Sequence, residues 1–152
     1  MSRPSAAQVI AELGLAPHPE GGHYRELYRS PAAPGRRGGM TSIYYLLAAG
    51  ENSAWHRLRS ADELWYFHAG DPLELRLAAD ASGYVAVRLG ADPASGEAAQ
   101  AIVPAECWQS AVPLGAWTLV GCAVTPAFEF DDFELAPDAF RPPPRPTTPG
   151  AP

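Results

Sequence analysis

From Gly22 onward the chain is written in short apolar runs, several alternating with period two, each closed by turn-forming residues. Leu73, Leu75 and Leu77, then Val85, Val87 and Leu89, carry the alternation most clearly. Successive side chains of a strand point to opposite faces, so this pattern suits half-buried strands and not helices. The runs are 23–30, 41–48, 63–69, 73–79, 84–90, 100–104, 108–112, 117–124 and 128–135. The breaks, among them SPAAPGRRGG, AGEN, AGDP, DASG, GADPASGE and PLGA, are built from Gly, Pro, Asp, Asn and Ser, each of which favours a turn for its own backbone reason. Many short strands about 8–12 residues apart imply a sandwich or barrel. An all-β double-sheet jelly roll (a double-stranded β-helix) fits the count and disposes of sheet edges.

Both ends depart from this pattern. Ser5 and Gln8 form a capping box, Val9, Ile10 and Leu13 give one apolar stripe, and Gly14 is a natural stop, so a short N-terminal α-helix is expected. Pro17 and Pro19 prevent its continuation. After 136 the sequence is rich in Pro and lacks periodicity. A folded domain over 1–136 and a disordered or loosely docked tail over 137–152 are expected.

The 152 residues carry a net charge of -6 with a pI near 5.1. That argues against a nucleic-acid or anionic-membrane binder, which needs a clustered basic surface. No apolar run is long enough to span a bilayer, and the N-terminal stretch does not read as a secretory signal. Cys107 and Cys122 form no C-x-x-C pair, so reduced thiols in a cytoplasmic protein are expected. Walker, G-x-G-x-x-G and G-x-S-x-G motifs are absent.

The chemistry concentrates in GENSAWHRLRSADELWYFHAG, residues 50–70. His56 and Leu58 lie two apart and share a strand face, and Glu63 opens the next run. A hairpin here places His56 and Glu63 side by side, facing inward. His68 has the opposite parity to Glu63, Trp65 and Phe67.

At this point the chain resembles the cupin superfamily. Gly50, His56, Glu63 and Gly70 stand at the fixed spacings of the first cupin motif, with Leu58 in place of its second His. The second motif keeps Pro104, but Glu106 replaces its Gly and Gln109 its His. The blocks HPEGG (18–22) and FEFDDFELA (128–136) resemble a bacterial and fungal cupin subfamily of unknown function. Departures from that subfamily fall at Tyr66, Glu106 and Ala127. The resemblance implies a jelly-roll barrel, usually a homodimer, and brings no established substrate.

Three functions follow for such a pocket. The first is metal-independent isomerisation or epimerisation of a carbohydrate-like or carbonyl-bearing small molecule. His56 is then the base, Glu63 orients it, and Tyr24 is the acid, on a strand face shared with Glu26 and Tyr28. Trp65, Trp108, Gln109, Arg57 and Tyr45 are the candidate ligand contacts. The second is binding or sensing of the same ligand without turnover. The third is a metal-dependent, oxygenase-like cupin with an ion on His56, Glu63 and Gln109; Leu58 argues against it, because transition-metal sites usually need at least three protein ligands. No cofactor is expected under the first two. The HPEGG turn is expected to shape the backbone, and FEFDDFEL to form an edge strand with a solvated acidic face.

Overall fold

The computed structural model describes residues 2–146. Helix α1 spans Ala6–Leu13. The Ser5 hydroxyl accepts the Gln8 N–H, the Gln8 side chain accepts the Ser5 N–H, and Gly14 closes the helix at φ 64. Both caps are those the sequence implies. Val9 and Leu15 pack with Leu46, Trp117 and Leu119, so the helix covers the outer face of one sheet.

Eleven strands follow: β1 Ala16–Pro17, β2 His23–Arg29, β3 Thr41–Ala48, β4 Ser53–Leu58, β5 Asp62–Gly70, β6 Leu73–Ala78, β7 Val85–Leu89, β8 Gln100–Val103, β9 Trp108–Pro113, β10 Trp117–Thr125 and β11 Phe133–Leu135. They form one sheet in the order β1-β2-β3-β10-β5-β8 and another in the order β11-β4-β9-β6-β7. Every ladder between them is antiparallel. This is the expected jelly roll. Among the described residues no helix is long and apolar enough to cross a membrane.

The inward side chains fill the space between the sheets unevenly. Leu47, Leu73, Leu75, Leu89, Ala111 and Val120 close one end as a dry core. Further along the same strands, Thr41, Ile43, Cys122 and Val124 line an open pocket instead.

Two local irregularities aim side chains into that pocket. The β2–β3 register shifts between Glu26 and Tyr28. Such a bulge adds one residue and inverts the alternation beyond it. Arg29, not Tyr28, therefore rejoins the face of Tyr24 and Glu26; Tyr28 is 49% exposed. This corrects the face Tyr24–Glu26–Tyr28 expected from simple alternation. In β4 the register with β9 shifts between Ser53 and His56, and both residues are buried.

The run 128–135 is not one edge strand. Phe130–Asp132 is a 3-10 turn, and only Phe133–Leu135 pairs with β4. The cause is Asp132, which is buried and accepts the Ser60 N–H at 3.0 Å, the Ser60 hydroxyl at 2.8 Å and Arg37 Nη2 at 3.0 Å. These bonds pull the segment across the barrel end, so Phe128, Phe130 and Phe133 line the pocket mouth. Of the Pro-rich tail, Phe140 packs on Trp55 and Trp108, and Tyr84 bridges to Pro144. Residues 147–152 lie outside the described residues.

Candidate functional site

The pocket encloses about 650 Å³ including its open mouth. Among its buried polar groups is His56, 2% exposed. The ring Nδ1 lies 2.8 Å from the Ala54 carbonyl. A carbonyl only accepts, so Nδ1 carries a proton. The other nitrogen, Nε2, lies 3.1 Å from Glu20 Oε2. One proton is shared across this second contact: either protonated Glu20 donates to a neutral ring, or an imidazolium donates to a carboxylate. Burial pushes Glu20 up to about 8 and lowers His56. Both shifts favour the neutral pair at pH 7, since burial disfavours each charged form.

Glu20 belongs to the HPEGG turn, and the glycines that follow explain its placement. Gly21 has φ 109, and a Cβ there would sit 2.2 Å from the Asn52 carbonyl oxygen. Only glycine lets the turn lie this close to the start of β4. The Ala54 N–H donates to the Glu20 carbonyl at 2.8 Å, the Ser53 hydroxyl donates to Glu20 Oε1 at 3.1 Å, and the Tyr45 hydroxyl donates to the Gly21 carbonyl at 2.5 Å. His18 accepts the Glu20 N–H on Nδ1 at 3.1 Å. That fixes its proton on Nε2. Burial pushes His18 down to about 4, and nearby His56 adds to the shift.

Glu63 is the second carboxyl of the floor, 8% exposed. Gln109 Nε2 donates to its Oε2 at 2.7 Å, and Gln109 Oε1 accepts the Trp65 indole N–H at 2.9 Å. The indole thus sets the orientation of the amide. Burial pushes Glu63 up to about 7, with Glu20 adding to the rise and His56 opposing it. The Cys122 thiol is the other polar neighbour. Above the floor the walls are Ile43, Leu58, Val124, Tyr24 and the three Phe rings. At the mouth Arg29 is bonded to Glu26 at 2.7 and 3.2 Å and to the Phe128 carbonyl at 2.9 Å.

Residues 7–136 match the family model described as "Cupin superfamily (DUF985)". The chain belongs to the cupin superfamily. Protein SO0799 from Shewanella oneidensis is 44% identical, with 88% of this chain and 85% of that one covered at a TM-score of 0.81. A hypothetical protein from Leishmania major is 34% identical, with 90% of each chain covered, also at 0.81. A dTDP sugar isomerase from Desulfovibrio desulfuricans G20 is similar in fold alone, at 16% identity, with 78% of this chain and 84% of that one covered and a TM-score of 0.56. Among curated proteins, none matches the chain significantly.

Many cupins hold a metal on the His and Glu of their first motif. The donors here do not fit one. Leu58 fills the second His position, His56 is held on both nitrogens, and Gln109 turns its amide nitrogen, not its oxygen, toward Glu63. Among the described residues no three His, Cys, Asp or Glu side chains are placed to hold an ion together.

His56 and Glu63 both face inward as expected and line the pocket, but not from a hairpin: β4 pairs with β9 and β11, β5 pairs with β10 and β8, and the two residues enter the pocket from different sheets. The direct carboxylate partner of His56 is Glu20, so the expectation that Glu63 orients His56 is corrected. Tyr24 and Tyr45 line the pocket; Tyr24 packs against His18 at 4.5 Å between ring centres. Trp65 and Gln109 do not line the pocket; Trp65 bonds Gln109 and Gln109 bonds Glu63. Trp108 and Arg57 do not face the pocket. Each is the chain neighbour of an inward residue, Gln109 and His56, and adjacent strand residues point to opposite faces. Arg57 lies over the Trp108 ring at 4.5 Å and bonds Glu134 at 2.9 Å on the outer surface. His68 sits on the outer face beside Tyr44, as its parity requires. Sequence reasoning read His18 and Glu20 mainly as turn formers. The signal that could have raised them was a His and a Glu held inside a turn with two consecutive glycines.

Proposed function

We propose that the protein is a small-molecule cupin that moves protons on a carbohydrate-like or carbonyl-bearing compound without a metal, as an isomerase or epimerase. The observation that carries this reading is the pairing of two buried carboxyls with one neutral His on a single pocket floor. Glu63, near 7, is partly ionised at neutral pH and can take a proton. Glu20, near 8, holds a proton that it shares with His56. Groups of unequal proton affinity in one pocket are the arrangement that acid–base catalysis requires.

In the proposed step the Glu63 carboxylate removes a proton from the carbon next to the substrate carbonyl. The C–H electron pair becomes the C=C bond, and the carbonyl pair moves onto oxygen. The Glu20–His56 unit protonates that oxygen, giving a neutral enol and leaving the unit one proton short. For the epimer, water gives a proton to the opposite face of the carbon, the enol O–H proton goes back to the Glu20–His56 unit and Glu63 releases its proton to water. For the isomer of a hydroxycarbonyl compound, Glu63 gives its proton to the former carbonyl carbon while the neighbouring hydroxyl gives its proton to the Glu20–His56 unit and becomes the new carbonyl. Protonating the oxygen limits charge build-up in a pocket without a free cation. The acid role expected of Tyr24 passes to Glu20–His56, because their shared proton is held at the floor.

Hydroxyacetone in deuterated water tests the reading. The wild-type protein is expected to speed deuterium uptake at the carbons next to the carbonyl, read by proton NMR. Glu63→Gln and His56→Ala should each reduce that rate about a hundredfold or more. Uptake no faster than without protein, or uptake unchanged in both variants, contradicts it. A second reading, binding without turnover, is favoured by the internal pairing of His56 and Glu20. It predicts saturable binding and no deuterium uptake. The homodimer implied by the family resemblance stands as a further proposal, with light scattering as its measurement.

A further inference from the structure

The charges of the pocket do not balance. Glu20, Glu26 and Glu63 line it, and Arg29 is the one Arg or Lys among its described lining residues. Arg29 is already spent on Glu26 and on the Phe128 carbonyl. The chain contains no lysine at all. Glu63 is more than nine-tenths buried, and its one hydrogen bond comes from the neutral amide of Gln109, on Oε2. The Cys122 thiol, a weak donor, is a further side-chain neighbour of this carboxyl. A buried carboxyl costs free energy unless it is protonated or faces a cation. The protein supplies no cation here.

The walls above are suited to one. Phe128, Phe130 and Phe133 are set edge to face, with ring centres 4.9, 6.0 and 6.3 Å apart, and Tyr24 and His18 complete the lining. Aromatic faces attract cations through the ring quadrupole and also bury an apolar body. An anionic ligand would meet three carboxyl groups and no free guanidinium.

We propose that the compound taken by this pocket carries a protonated amine, with the ammonium against Glu63 and its apolar body among the Phe rings. This rests on the reading of the pocket as the ligand site; an ammonium paired with Glu63 lowers its proton affinity, so the cation site and the proton-removal step are alternative uses of the same carboxyl. The raised proton affinity of Glu63 is then the unliganded state of a cation site. An arriving ammonium replaces the proton as the partner of the carboxyl, so binding strengthens as pH rises through about 7.

Titration calorimetry with benzylammonium, benzyl alcohol and benzoate tests this at pH 8. Benzylammonium is expected to saturate one site per chain and to bind about tenfold or more tighter than benzyl alcohol, with benzoate weakest. Glu63→Gln should remove the ammonium preference, with circular dichroism and a cooperative thermal melt showing that the variant is folded. Phe128→Ala should weaken both probes. Benzoate or benzyl alcohol matching benzylammonium overturns the proposal, as does an ammonium preference that survives Glu63→Gln. Zinc binding that depends on Glu63, with no benzylammonium binding, overturns it as well. Deuterium uptake into hydroxyacetone without ammonium binding would sink the cation alone. Ammonium binding without uptake would sink the catalytic step alone.

Discussion

Strand β4 turns Trp55 and Arg57 outward and His56 into the pocket, and the two sides settle the charge of their carboxyl groups in opposite ways. Outside, Glu106 and Glu134, beside this strand, each have an Arg. Glu134 takes Arg57 at 2.9 Å and Arg59 at 3.0 Å, and Arg57 also lies over Trp108. Next to them Arg76 bonds Glu74 at 2.6 Å and covers Tyr84, while Phe140 seals Trp55 and Trp108. Inside, Glu20 and Glu63 have a His, a Ser and an amide. The outer arrangement is scaffolding, because it is complete without a ligand. The inner one is held neutral only by protons, and proteins keep such groups where they are used. Composition does not distinguish the two faces; the partner of each carboxylate does.

The comparison breaks most easily at the HPEGG turn. Gly21→Ala puts a Cβ against the Asn52 carbonyl at a positive φ and should cost about 3 kcal/mol or more. Urea melts should show the loss, and the Glu20–His56 contact should go with it. Trp108→Ala tests the outer face. Trp108 is 8% exposed, beneath Arg57 and Phe140, so its removal should cost about 3–5 kcal/mol while the affinity for benzylammonium stays unchanged. A changed affinity would mean that the outer ring serves the pocket after all.

Glu63→Gln sharpens the inner side in the opposite direction. The folded-state value of about 7 stands above the ordinary 4.5. Below pH 4.5 both folded and unfolded chains hold the proton, and the burial of this group has no net pH-dependent cost. Between 4.5 and 7 the unfolded chain releases it first, so Glu63 lowers stability progressively as pH rises. The variant should therefore be more stable than wild type by about 1–3 kcal/mol at pH 8.5 and nearly equal at pH 4.5. Thermal melts at the two pH values decide. The smallest effect is expected at Glu106, which has φ 72 where the second cupin motif has Gly. Glu106→Gly should stabilise by about 0.5–1 kcal/mol, reduced by the loss of a 3.4 Å contact to Arg57.

The fold was legible because period-two runs and Gly/Pro breaks report backbone geometry directly. The first motif was legible for the same reason: Gly50 and Gly70 sit at positive φ and bracket two strands that turn His56 and Glu63 inward, although those strands join different sheets and not the hairpin that alternation suggested. What alternation alone could not give was the bulges. One extra residue near Leu27 exchanged Tyr28 for Arg29 at the pocket mouth, and hydrophobicity carries no trace of it. The β4 bulge and the Glu20 contact depend on a turn docking from more than thirty residues away along the chain, which local pattern does not encode. Trp108 and Arg57 are different: alternation from Gln109 and His56 already turned them outward, and they were misassigned through their nearness to the motif. FEFDDFEL looked like a strand because its Phe residues alternate; the buried Asp132 bends it into a cover.

The most direct measurement is a carbon-13 NMR titration of the glutamate side-chain carboxyls, with the Glu63 resonance identified by its absence in Glu63→Gln. The account predicts that Glu63 titrates near 7 in the free protein and is held ionised to lower pH by bound benzylammonium. A Glu63 carboxyl that titrates near 4.5, unmoved by the ammonium, would contradict it.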